Sequence, residues 1–288
     1  MKNNRGFTLV EMMISVAIFG IVMTGIYQTY DSQQKTYIKQ EQVIDMQQNH
    51  RTAIYFLGQE LRMAGYDPTG DADTGSPGDT KVDSPGFTVI NIGDTPAEIN
   101  EFQITMDLNG DKDVDNSTEE PDTNEIIRYA LSNDADKDGI CDAIDTTGNW
   151  INSGAECNLE RENITLNGSV TSSGGLQPVA NNIDAVEFLY VLKDGTVTEA
   201  FPDTDDMVDI RGVIVSVLAR TKNRIKNYRN THTYTQASNT EDNAGNYIFP
   251  ASDFSAGRPD IWGPFDDSYR RNLYITRFRC RNMGRNPY

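Results

Sequence analysis

The chain has 288 residues, 37% hydrophobic and 24% charged, with 13 Tyr, 11 Phe and 2 Trp, which excludes wholesale disorder and leaves room for one sizeable core plus an appendage. Asp plus Glu outnumber Lys plus Arg by 43 to 25, a net charge of −18, and a surface of that sign repels phosphate backbones, so nucleic acid is not an expected partner. His50, His232, Cys141, Cys157 and Cys280 form no CxxC, HExxH or zinc-type pattern, so the chain reads as a non-enzyme that requires no cofactor.

The N-terminus is a short polar segment, Met1-Lys-Asn-Asn-Arg-Gly6, with two basic residues and no acid. Phe7 to Ile26 then runs twenty residues with a single charge, Glu11. A helix of that length spans about 30 Å, the hydrocarbon thickness of a bilayer. Basic residues ahead of the run place the N-terminus in the cytoplasm and the remainder across the membrane. The run ends Val22-Met-Thr-Gly-Ile-Tyr27 and offers no small-x-small site for an ordinary signal peptidase. A plain anchor, in turn, leaves a carboxylate inside the apolar stretch unexplained.

Beyond the apolar run the helix is expected to continue. Residues 31–65 contain no Pro, and Met46, Ala53, Ile54, Leu57, Leu61 and Ala64 recur on one helical face, suited to packing on the protein's own core. Gly65 is the expected stop, and residues 66–86 are loop by composition. Strands are expected at Phe87–Ile92, Glu98–Asp107, Glu125–Ser132, Asn163–Val170, Ala185–Leu192, Ile210–Thr221 and Leu273–Arg281. The most apolar of them, Gly212–Ala219, belongs in the middle of its sheet. With no helices between strands, the sheet should be mostly antiparallel, giving an α+β head domain over 66–288.

Residues 107–145 hold 13 acidic residues against three basic ones. Within them Asp134, Asp136, Asp138, Asp142 and Asp145 stand at positions 1, 3, 5, 9 and 12 of a calcium-loop pattern, with Gly139 at the turning position six. A weaker candidate, Asp107, Asn109, Asp111, Asp113 and Asp115, lacks that glycine. For both, the alternative is a solvated acidic loop. In an exported domain Cys141 and Cys157, close in sequence and both in loop context, are read as a disulfide pair, and Cys280 as a buried thiol. Arg270, Arg271, Arg277, Arg279, Arg281 and Arg285 make a basic C-terminal stretch. It either neutralises acidic strands of the same domain or offers a surface to an acidic partner.

The hexapeptide Gly6-Phe7-Thr8-Leu9-Val10-Glu11 resembles the signature of type IV prepilins. That resemblance implies residues 1–6 as a leader cut between Gly6 and Phe7 by a prepilin peptidase, methylation of the new Phe7 amine, and 7–30 as a helix that moves from membrane to filament core. It also implies a pilin fold, a long N-terminal helix packed on a mostly antiparallel sheet. Glu11, one turn from Phe7, can then neutralise the Phe7 amine of a neighbouring subunit and set axial register. Pro178–Tyr190, Ile210–Arg220 and Ile275–Asn282 resemble segments of the PilW-type minor pilins, and the layout is also similar to pseudopilin J of type II secretion. The resemblance implies a minor pilin that promotes pilus assembly, adhesion and motility. Its implied partners are other major and minor pilins, the peptidase and an inner-membrane assembly platform, and its location is the inner membrane, then the surface pilus. The alternatives are a type II secretion pseudopilin or a membrane-anchored calcium-binding adhesin.

Overall fold

A computed structural model describes residues 7–68, 85–88, 101–110, 125–134, 139–144, 150–151, 156–167, 170–198, 209–241, 248–249 and 261–283. The chain divides into two compact units, Met1–Ile44 and Asp45–Tyr288.

One helix, α1, runs Leu9–Met63, about 82 Å at standard rise. Within the first unit its apolar side chains, Leu9 to Ile26, are exposed, as suits a segment whose solvent is lipid or other helices. The expected stripe appears in the second unit, where Met46, His50, Ala53, Leu57 and Leu61 are buried. The helix ends where the sequence places a residue free of Cβ. Gly65 has φ +73°, and its N–H donates to the Thr105 carbonyl at 3.1 Å. On the other side the Asn282 Nδ2 donates to the carbonyls of Arg62 (3.1 Å) and Met63 (3.4 Å), two of the acceptors a helix C-terminus leaves over.

The strands are β1 (Gly86–Thr88), β2 (Phe102–Thr105), β3 (Ile126–Leu131), β4 (Ala143–Ile144), β5 (Trp150–Ile151), β6 (Asn158–Asn167), β7 (Val170–Ser173), β8 (Gln177–Asn181), β9 (Ile183–Leu192), β10 (Val197–Thr198), β11 (Ile210–Arg220) and β12 (Arg271–Arg279). All their pairings are antiparallel. They form two main sheets instead of the single one expected. One has the order β1-β2-β3-β6-β7 with β8 also on β6, the other β10-β9-β11-β12, and β4-β5 make a separate pair. As the apolar run predicts, β11 is interior, flanked by β9 and β12.

Several boundaries are corrected. The strand expected at Asn163–Val170 begins at Asn158, stops at Asn167 and hairpins into β7, because Asn167 pairs with Val170. The last strand is Arg271–Arg279, two residues earlier than expected, since Arg271 faces inward to a buried carboxylate. The strand expected at Glu98–Asp107 covers only Phe102–Thr105, with Glu101, Met106 and Asp107 outside it; residues 89–92 and 98–100 of the two expected N-terminal strands lie outside the described residues.

The core joins both sheets to the helix. Phe102 of β2 stacks on Tyr129 of β3 and meets Phe188 of β9 edge-on, with centroids 5.0 and 4.8 Å apart. His50 meets Tyr274 of β12 edge-on, and Arg161 of β6 pairs with Glu60 at 3.0 Å. Gly58 packs so closely on Phe278 that a Cβ there would lie 2.5 Å from the ring. On the far face of the second sheet, residues 236–239 are tied down through Glu187. Its carboxylate, which burial pushes above the ordinary range, accepts from Ser216 Oγ at 3.0 Å, from the Ser238 N–H at 3.3 Å and from Ser238 Oγ.

Candidate functional site

At the N-terminus, Thr8 and Glu11 form a reciprocal cap. The Glu11 N–H donates to Thr8 Oγ1 at 3.3 Å, while Glu11 Oε2 accepts from the Thr8 N–H (2.8 Å) and Thr8 Oγ1 (2.9 Å). The Thr8-x-x-Glu11 spacing is the sequence signal for this cap, which a reading of Glu11 as a membrane charge passes over. Glu11 Oε1 makes no bond among the described residues. Deeper in the segment, hydroxyls donate back to carbonyls one turn earlier, Ser15 to Glu11, Thr24 to Gly20 and Thr29 to Gly25, at 2.8–3.0 Å. Each of these hydroxyls is thereby satisfied within the helix itself. Phe7 stands just before the cap and is 86% exposed; Gly6 lies outside the described residues.

The acidic segment is described at 107–110, 125–134 and 139–144. Asp111, Asp113, Asp115, Asp136, Asp138 and Asp145 lie outside the described residues. Asp107 is buried and its Oδ1 accepts from the Gly110 N–H at 2.5 Å, while Glu125 Oε1 accepts from the N–H groups of Leu108 and Asn109. Asn109 is exposed. At the stronger candidate, Asp134 Oδ2 accepts from the Gly139 N–H at 2.9 Å, and Gly139 has φ +80°, a conformation that glycine takes at no steric cost. Asp142 is buried, and its N–H donates to the Asn133 carbonyl at 2.7 Å. Among the described residues no group of three or more His, Cys, Asp or Glu is placed to hold a metal.

Cys141 and Cys157 form a disulfide with Cα atoms 5.9 Å apart, and Cys280 is a buried thiol that burial pushes up to about 12. The basic stretch divides in two. Arg271 is buried and paired, whereas Arg277, Arg279 and Arg281 are exposed and make no ion pair among the described residues. Arg285 lies outside the described residues.

A family profile described as the prokaryotic N-terminal methylation motif matches residues 1–27. No curated protein matches the chain. Among solved structures, a type IV-like pilin from Thermus thermophilus is similar at 13% identity with a TM-score of 0.42, over 82% of this chain and 96% of that one.

Proposed function

We propose that the chain is a pilin-type structural subunit, made as a precursor, cut between Gly6 and Phe7 and methylated on the new Phe7 amine. The observation that carries this reading is the hexapeptide Gly6–Glu11 inside the matched methylation motif, followed by a helical segment, Leu9–Ile26, whose apolar residues are all exposed. Such a segment has no apolar partner among the described residues, and its stable environments are lipid before assembly and the helices of other subunits afterwards.

Cleavage creates a cation at Phe7, and methylation keeps it charged. The intrachain cap uses only Oε2 of Glu11, which leaves Oε1 to accept from the Phe7 amine of a neighbour in a bundle of parallel helices. A carboxylate that requires a partner in an apolar bundle sets axial register. By the resemblance of its C-terminal half, the subunit is a minor pilin of the PilW type that promotes assembly and supports adhesion and motility. It works with other pilins, the prepilin peptidase and an inner-membrane assembly platform. Its work is association, and the peptidase acts on it as a substrate.

The test is mass spectrometry of the N-terminal peptide recovered from membranes and from sheared filaments. Phe7 bearing one methyl group is expected. An intact Met1 leader, or a cut near residue 25, would overturn the reading.

A further inference from the structure

A cleft of about 410 Å³ opens in the second unit between α1 and the adjoining ends of β6, β8 and β11. That volume falls in the range of small-ligand sites, roughly 300–1,000 Å³. Its floor is fixed. Asn158 and Asn181 are partners in the β6–β8 ladder, Cys157 is held by the disulfide to Cys141, and the Ile183 N–H donates to the Cys157 carbonyl at 3.1 Å. Asn182, at φ +58°, is pinned by its carbonyl, which accepts from the Arg220 N–H at 2.9 Å.

Four asparagines, Asn49, Asn158, Asn181 and Asn182, line the cleft together with the acids Asp45 and Glu156 and one cation, Lys222. Apart from Asn158, whose Oδ1 accepts from the Asn182 N–H at 3.4 Å, none of these side chains makes a hydrogen bond or ion pair among the described residues. The one buried apolar side chain in the wall is Met46.

The chemistry of this lining selects its occupant. Two carboxylates against one ammonium disfavour phosphate and other anions. Lys222 on the wall, and a space far larger than one ion, disfavour a metal. With Met46 as its only buried apolar contact, the cleft does not suit a hydrophobic ligand. Carboxamides present a donor and an acceptor side by side, matching the vicinal hydroxyls of a sugar ring, and carboxylates accept strongly from hydroxyls. Met46 suits the C–H face of such a ring. We propose that this cleft is a binding site for a neutral saccharide.

The test uses the full chain in lauryldimethylamine oxide, a detergent without a sugar head group. It is titrated by calorimetry with methyl glycosides of galactose, mannose, glucose, N-acetylglucosamine and N-acetylgalactosamine, and with sialic and glucuronic acids. Saturable binding of at least one neutral glycoside at millimolar concentration is expected. Asn49→Ala and Glu156→Ala should each weaken it by roughly tenfold, the loss of one hydrogen bond, with melting temperature unchanged. Arg277→Ala, outside the cleft lining, should bind as the parent does. The proposal is overturned if no neutral glycoside binds, if both cleft variants retain full affinity, or if the acidic sugars are preferred. Calcium binding that is lost with Glu156→Ala, in the absence of sugar binding, would equally replace the saccharide by a cation.

Discussion

Replacing Asp184 with Asn preserves shape and removes the one negative charge that two buried guanidiniums share. Arg220 Nε lies 3.0 Å from Oδ1 and Arg271 Nε donates to Oδ2 at 2.7 Å, with the aspartate side chain 3% exposed and both arginines 0%. Burial pushes the Asp184 carboxyl up, and Arg271 and Arg220 oppose that shift. Arg271 also holds Asp267 through two bonds, at 2.7 and 2.6 Å, and lies 3.9 Å over the Phe265 ring. It therefore stays compensated in the variant, whereas Arg220 keeps the Tyr269 ring, 4.3 Å away, and loses its carboxylate. Removing one partner of a buried pair costs about 3–5 kcal/mol, and the second carboxylate on Arg271 places this case near 3 kcal/mol. For a unit the size of Asp45–Tyr288 each kcal/mol lowers the midpoint by about 2–4 °C, so a fall of about 6–12 °C is expected in calorimetry of the detergent-solubilised chain. Asp267→Asn, which leaves Asp184 between both arginines, should cost less. An Asp184→Asn midpoint no lower than that of Asp267→Asn would refute the shared-carboxylate argument.

Glu11→Gln keeps an acceptor for the Thr8 cap but no charge for a neighbour's Phe7 amine; processing and membrane insertion should persist while the variant vanishes from sheared filaments. Normal incorporation would remove Glu11 from register setting. His50 is buried, its Nε2 has no hydrogen-bond partner among the described residues, and burial lowers its pKa, which favours the neutral ring in the folded chain. Its contribution is fully present above the unfolded value near 6.5 and is lost as pH falls below it, because the unfolded chain takes up the proton first. The drop in melting temperature from pH 7.5 to 5 should therefore be smaller in His50→Gln, and an equal drop would exclude His50 as its source. For the loop from Asp134 to Asp145, millimolar calcium should raise the melting temperature of the parent and not of Asp136→Ala/Asp138→Ala. Identical melting with calcium and with chelator would leave a solvated acidic turn.

The parts of this molecule that rest on local patterns were legible in the sequence. Gly65 marks the helix end because a residue without Cβ takes a positive φ at no steric cost, and Gly212–Ala219 reads as interior because it is a nearly unbroken apolar run. The partition into two sheets was not legible, since it depends on which strands β6 and β9 select, and residue pattern along a strand does not name its partner. Nor could the cleft be read, because Asn49, Glu156, Asn182 and Lys222 come from four separated segments and none sits in a motif. The same holds for the arginines of the last strand. Their spacing shows a shared face, and only the fold shows that Asp184 claims Arg271 and leaves Arg277 and Arg279 to solvent.

The exit of the long helix has a mechanical consequence. Its final turn is gripped twice, by Asn282 on the carbonyls of Arg62 and Met63 and by the Gly65 N–H on the Thr105 carbonyl of β2. The first grip lies three residues past the end of β12, which is zipped to β11 along nine residue pairs; the second belongs to the other sheet. Tension drawn along the helix is thus divided between the two sheets, and neither bears the whole pull.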